Sequence, residues 1–313
     1  MYTIGVDIGG TSIKAGVVDE KGNITLSLQI PTKNSPNACI ESIINLIKEL
    51  IEKSNLTTNQ IKGIGFGFPG MVNSKTGVVD FLPNINGWEN IDFSSKIENA
   101  FGVKVKITND ANAHTLAEQK YGSAKGANNV VMLTLGTGVG GGVIIDGKLY
   151  EGEGSKGTEL GHTTLILGGN KCGCGRKGCL EAYVSTTALI NQAKEQMLEN
   201  KDSALWHLCN NNLATLNGKI FFTALNNGDK TAEKVFDKYI IYLSEGLLNF
   251  CNIFRPEIIV LGGGISAQGK VLTDKITKYC KDNYYGLTGA PEVKIVTATL
   301  SNDAGIIGAS ALI

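Results

Sequence analysis

No apolar run in the 313 residues reaches the roughly 18 positions that a bilayer-spanning helix needs. The opening Met1-Tyr2-Thr3-Ile4-Gly5 lacks the basic and apolar stretches of a secretion signal, so a cytoplasmic location is expected. Net charge is missing as well. Twenty-nine Lys+Arg balance 29 Asp+Glu, which removes any electrostatic reason to expect a nucleic acid or an anionic membrane as partner. Proline is scarce, at six, and no G-x-x-x-x-G-K-[ST] phosphate loop occurs. The seven cysteines are an odd number, three of them within residues 172–179. That pattern fits reduced thiols around a metal better than a disulfide framework. What the chain has in excess is glycine, forty in all, which suggests tight turns where backbone must approach something closely.

The length predicts two domains. Residues 2–8 and 12–19 read as a strand hairpin across Gly9-Gly10-Thr11, with a third strand near 24–30. Ser35-Pro36 offers an N-cap and a first-turn proline to a helix whose apolar face is Ile40, Ile43, Ile44, Ile47, Leu50 and Ile51. Strands follow at 61–67 and 103–107, then a helix from Ala111 to about Tyr121. Residues 130–149 repeat the opening: strand, Gly136-Thr137-Gly138 turn, strand (VIID), glycine turn. Two copies of one supersecondary unit imply two related domains. Helices are expected around 181–199 and 231–252, a strand at 257–261, and a small-residue helix in SNDAGIIGASAL. The alternation makes the chain α/β.

Both Gly/Thr turns suit an anion: glycines let N–H groups converge without Cβ obstruction, and the threonine adds a donor. A plain hairpin is the alternative for either turn alone. G-x-G-x-x-G occurs at Gly65/Gly67/Gly70 and at Gly136/Gly138/Gly141, but Pro69 interrupts the first and a strand follows the second. A nicotinamide fold, which needs a helix there, is not expected. Asp7, at the carboxyl end of the first strand, is placed to position Mg²⁺ beside phosphates. Lys14 is either a phosphate contact or a solvated side chain.

DIGGTSIKAGVVD resembles the phosphate-1 loop of the sugar kinase/actin/Hsp70 superfamily. LGTGVGGGVIIDGKLYEGEGSKGTELGH resembles the stretch that marks the ROK (repressor, open reading frame, kinase) family, and LGGGIS at 261–266 resembles its adenosine motif. The likeness runs from residue 2 to the closing NDAGIIGAS. It implies two related actin-like ATPase (ribonuclease H-like) domains with a cleft between them. One is a small domain, 1–116, closed by a C-terminal helix at about 300–313; the other is a large domain, 117–299, carrying a zinc loop. It implies a homodimer and ATP held with Mg²⁺ by Asp7, Gly9, Gly10, Thr11, Lys14, Gly136, Thr137, Gly138, Gly262, Gly263 and Gly264.

Asp110, where a strand gives way to a helix, reads on its own as a cap; the resemblance makes it the base that takes the proton from the attacking sugar hydroxyl. Phosphoryl transfer needs positioning and charge neutralisation with one residue orienting the nucleophile, and Asn109 beside it suits an adjacent hydroxyl. The resemblance adds Gly70, Asn84, Glu159, His162 and Glu181 as sugar contacts. Where family members read A-G-E-I-G-H, this chain has Gly157-Thr158-Glu159-Leu160-Gly161-His162, which keeps the acid and the histidine. His162 with Cys172, Cys174 and Cys179 suits a closed Cys₃His zinc site; free loop thiols are the alternative. Such a site is structural and would orient His162 toward a sugar hydroxyl.

NDANAHTLAEQKYG and CGCGRKGCLEAY are most similar to bacterial glucokinases of the family, so glucose is the expected acceptor. N-acetylmannosamine kinase is the runner-up, with fructokinase and β-glucoside kinase behind it. A DNA-binding regulator of the same family is not expected, because the first phosphate turn begins within ten residues of Met1 and leaves no room for a reader helix.

Overall fold

The computed structural model describes residues 1–83, 85–284 and 292–313. They form two compact units, one of Met1–Val130, Gly142–Thr158 and Thr299–Ile313, the other of Val131–Gly141 and Glu159–Ala298.

The first unit opens with β1 (Tyr2–Ile8) and β2 (Ser12–Val18), antiparallel, with Ile8 opposite Ile13 and Asp7 opposite Lys14. β3 (Ile24–Pro31) continues the meander as an edge strand. Its residues alternate between half-buried and exposed, as a strand with one covered face must. After helix α1 (Pro36–Lys53) the chain returns as β4 (Ile61–Phe68), parallel to β1 and buried nearly throughout. A small sheet of β5 (Met71–Asn73), β6 (Val78–Phe81) and β7 (Glu89–Asp92) follows, then α2 (Phe93–Phe101), β8 (Lys104–Asn109) and α3 (Asp110–Tyr121). The main sheet runs β3-β2-β1-β4-β8, with β8 parallel to β4. Its core seats Ile4 and Val6 with Ile43 and Ile47 of α1. Phe93 stands edge-on to Phe66 and Phe68, at 4.8 and 5.0 Å, the favoured aromatic geometry. Ser35 has the expected extended backbone before α1, but its side chain makes no capping bond.

The second sheet runs β11-β10-β9-β12-β13, from β9 (Val130–Leu135), β10 (Val139–Ile145), β11 (Lys148–Tyr150), β12 (Ile258–Gly262) and β13 (Lys294–Thr297). This is the strand order of the first sheet, so the repeat seen in the sequence is a repeat of topology. Where one helix was expected around 181–199, there are two, α4 (Glu181–Val184) and α5 (Thr186–Glu199). Ser185 divides them, extended and accepting the Ala188 N–H at 3.1 Å as the cap of α5. α6 (Ala204–Leu208), α7 (Gly218–Asn226) and α8 (Lys230–Phe254) follow. All six expected stripe residues of α8, Val235 through Leu247, are buried. α9 (Lys270–Asn283) comes after β12, and α10 (Ala304–Ser310) returns to the first unit.

Some of the glycines serve the packing of α10 and not turns. Gly5 and Gly65 stand side by side on β1 and β4. A Cβ on either would lie 1.8 Å from a carbonyl oxygen of α10, Ile306 or Ala309 respectively. Gly308 of α10 meets Ala113 of α3 just as closely. Helix and sheet therefore pack backbone to backbone, and only glycine permits that separation.

Candidate functional site

The first unit gathers its candidate residues at the carboxyl ends of three parallel strands, where open α/β sheets bind ligands. Register sets Asp7 beside Gly67, Gly67 beside Thr108, and Phe68 beside Asn109. Asp7 is half-buried, opposite Lys14 on the same face of the hairpin. A Cβ on Gly305 would come within 2.5 Å of the Asp7 carboxyl group, so glycine keeps that space open. The Gly9-Gly10-Thr11 turn is closed by its own hairpin, Gly9 N–H to Ser12 O at 2.9 Å. β3 supports it from the side: the Thr32 hydroxyl donates to Gly9 O at 2.7 Å and the Thr32 N–H to Thr11 O at 3.0 Å.

The helix cap falls on Asn109, not Asp110. Asn109 has extended backbone, and its Oδ1 accepts the Ala111 N–H at 2.9 Å. Its Nδ2 donates to Gly70 O at 3.1 Å, which joins two of the expected sugar contacts directly. Asp110 is the first helical residue, with Oδ1 2.8 Å from the Ala111 nitrogen. Its charge sits at the positive end of the α3 dipole, which favours the carboxylate. Asn84 lies outside the described residues.

In the second unit the Gly136-Thr137-Gly138 turn closes on itself, Gly136 N–H to Gly138 O at 3.0 Å. The start of α5 holds it, through the Thr186 N–H on Gly136 O at 2.8 Å and the Thr187 hydroxyl on Thr137 O at 2.8 Å. Glu181 holds it too. Its Oε2 accepts the Val139 N–H at 2.9 Å and its Oε1 the Cys172 thiol at 3.1 Å. Glu181, a sugar contact by the family resemblance, also ties the turn to the cysteine loop. Gly263, at a φ of 84°, leaves no room for a side chain: its Cβ would be 2.4 Å from Leu135 O. The 262–264 turn therefore abuts the residue that leads into Gly136. Glu159 is exposed, and its carbonyl accepts the His162 N–H at 3.0 Å.

His162, Cys172, Cys174 and Cys179 bring their ligand atoms within 4.8 Å of one another. Cys174 Sγ is 3.7 Å from Cys179 Sγ, and Cys172 Sγ is 3.7 Å from His162 Nδ1. A tetrahedral ion with bonds of about 2.3 Å to sulfur and about 2.0 Å to nitrogen spaces such pairs about 3.5–3.8 Å apart, whereas a disulfide closes to about 2.05 Å. The donor set therefore fits zinc. Positive φ at Gly175 and Gly178 makes the knuckle, and Arg176 pins it by donating to His162 O at 3.0 Å and to Thr164 Oγ1 at 3.0 Å. Burial pushes the Cys172 and Cys179 thiols up, while the Arg176 N–H draws the exposed Cys174 down.

Two features went unread in the sequence: the Glu181 bond to the glycine turn, and Glu151, whose carboxylate accepts the Thr108 and Ser74 hydroxyls, each at 2.6 Å. Partners 43 and 77 residues away leave no local pattern to find.

The chain matches the ROK family over residues 3–313. It is 37% identical over 312 residues to a glucokinase of Streptomyces coelicolor, covering 99% of this chain and 96% of that one. A glucokinase of Thermotoga maritima is 34% identical over 316 residues, covering 99% and 96%. Among solved structures, a ROK glucokinase from Streptomyces griseus in complex with glucose and AMPPNP superposes with a TM-score of 0.83 at 34% identity, covering 100% of this chain and 99% of that one.

Proposed function

The chain belongs to the ROK family, with the actin-like ATPase fold of its sugar kinases, and we propose that it phosphorylates glucose with ATP as donor. The observation that carries the reading is Asp110 at the first turn of α3, next to the Asn109–Gly70 bond and at the strand end that Asp7 shares. Asp110 accepts the proton of the attacking hydroxyl as that oxygen bonds to the γ-phosphorus and the β–γ bridging oxygen leaves with ADP. Asn109 Nδ2 donates to Gly70 O at 3.1 Å and to Phe68 O at 3.5 Å, and Oδ1 accepts the Ala111 N–H; an amide oxygen has a second lone pair with which to accept from an adjacent sugar hydroxyl. The glycine turns at 9–11, 136–138 and 262–264 present backbone N–H groups to phosphate and nucleotide. Mg²⁺, held from Asp7, supplies charge neutralisation on the phosphates when bound. Zinc on His162, Cys172, Cys174 and Cys179 is structural, since four protein ligands leave no open position. The homodimer implied by the family resemblance is part of the same reading, checked by sedimentation.

Glucose is favoured over N-acetylmannosamine because, outside the 84–88 loop, the sequence offers no dedicated partner for a buried amide, and an unpaired amide costs on the order of 1–3 kcal/mol. The test is kcat/KM with Mg-ATP for glucose, mannose, fructose, N-acetylmannosamine and a β-glucoside side by side. Glucose is expected to lead. A tenfold lead for N-acetylmannosamine overturns the sugar, and no turnover of any of the five overturns the kinase.

A further inference from the structure

Glu151 follows β11, within the 135–162 stretch that resembles the family's, and no role has been given to it so far. Its carboxylate splits between two elements: Oε1 accepts the Thr108 hydroxyl at 2.6 Å and Oε2 the Ser74 hydroxyl at 2.6 Å. Thr108 is fully buried at the end of β8, immediately before Asn109 and Asp110. Ser74 ends the short run that begins at Gly70 and passes through β5. Asn109 Nδ2 in turn donates to Gly70 O at 3.1 Å. These links form a closed ring: Glu151 to Thr108, along the chain to Asn109, across to Gly70, along the chain to Ser74, and back to Glu151. A second layer braces it. The Ser74 N–H donates to Ser155 Oγ at 3.1 Å, and the Gly157 N–H to Glu151 O at 2.7 Å, folding residues 151–157 onto the ring. Hydroxyl-to-carboxylate bonds of this length are charge-assisted and stronger than neutral ones. Without Glu151, the buried Thr108 hydroxyl loses the acceptor it has in this structure, next to the residue that must orient the nucleophile.

We propose that Glu151 is a positioning residue for sugar binding, fixing the spacing between Gly70 and the Asn109–Asp110 pair through Thr108 and Ser74. The proposal rests on the reading of those three residues as the sugar side of the site. Because the ring lies wholly on that side, its loss acts on the sugar and leaves the nucleotide alone.

The experiment measures kcat and KM for glucose and for ATP, with thermal midpoints, in Glu151→Ala, Glu151→Gln, Thr108→Val and Ser74→Ala. Glu151→Ala is expected to raise the glucose KM about tenfold, the scale of one or two lost hydrogen bonds to a charged group, with the ATP KM within twofold. Glu151→Gln restores most of this, since an amide oxygen accepts from one hydroxyl and the amide N–H donates to the other. Thr108→Val and Glu151→Ala are expected to be non-additive in a double-mutant cycle. If Glu151→Ala fails to fold, Thr108→Val and Ser74→Ala each remove one link and carry the same readout. An unchanged glucose KM, a parallel rise in both KM values, or a glutamine variant as impaired as alanine overturns the proposal. Full turnover in Asp110→Asn instead overturns the site reading beneath it, whatever Glu151 does.

Discussion

Two glycine turns sit at the same place in two sheets of one strand order, yet they are held in different ways. The first, Gly9-Gly10-Thr11, is braced by its own hairpin and by the backbone and hydroxyl of Thr32 at the end of the neighbouring strand. The second, Gly136-Thr137-Gly138, is braced by residues 40 to 50 positions further on: Thr186, Thr187 and the Glu181 carboxylate, which also meets the cysteine loop. A repeated supersecondary unit thus keeps its backbone form while its support passes from local bonds to distant side chains. The two halves also divide the candidate residues, with Asp7, Asn109 and Asp110 in the first unit and the cysteine knuckle in the second.

Three measurements press on that contrast. Asp110→Asn bears on the first unit and carries the largest expected effect, a fall in kcat of roughly 10²–10⁴ with sugar affinity little changed. Because Asn109 already caps α3, stability is expected to hold. Retained turnover would leave the first unit without its chemistry. Cys174→Ser bears on the second unit. Metal analysis should find close to one zinc per chain in the unaltered protein and far less in the variant. The thermal midpoint should drop by several degrees, at about 2–4 °C per kcal/mol lost. A variant that keeps wild-type stability and sugar affinity breaks the structural reading of the metal. The smallest effect tests the turns themselves. Glu181→Ala should raise the ATP KM about tenfold, as befits a lost charged acceptor. Thr32→Ala, which leaves the Thr32 N–H and the hairpin in place, should stay within about threefold. The reverse ranking would erase the distinction between local and distant support.

What could be read without coordinates was whatever is local in the chain. The strand–turn–strand repeats, the six-residue stripe of α8 and the C-x-C-x₄-C spacing are all written within short windows, and each is found where it was expected. Periodicity and motif spacing record such features because neighbouring residues share one element. The break at Ser185 was missed because a cap inside a long polar-apolar run leaves the period almost unchanged. The glycines of β1 and β4 were credited to turns because a close approach by α10, some 240 to 300 residues away, leaves no trace beside Gly5 or Gly65.

The sequence alone determined which groups are candidates for the chemistry: the carboxylate at a strand–helix junction, the paired Gly/Thr turns and the His162 and cysteine side chains of the knuckle. Only the tertiary structure decided what each of those groups leans on: that Asn109 and not Asp110 caps α3, that Glu181 holds a glycine turn, and that Glu151 closes a ring around Gly70 and Asn109. The physical reason is one of range. A hydrogen bond is decided by a few ångströms of space, and apart from the Asn109 cap, which spans two positions, those ångströms join residues that stand 39 to 77 positions apart.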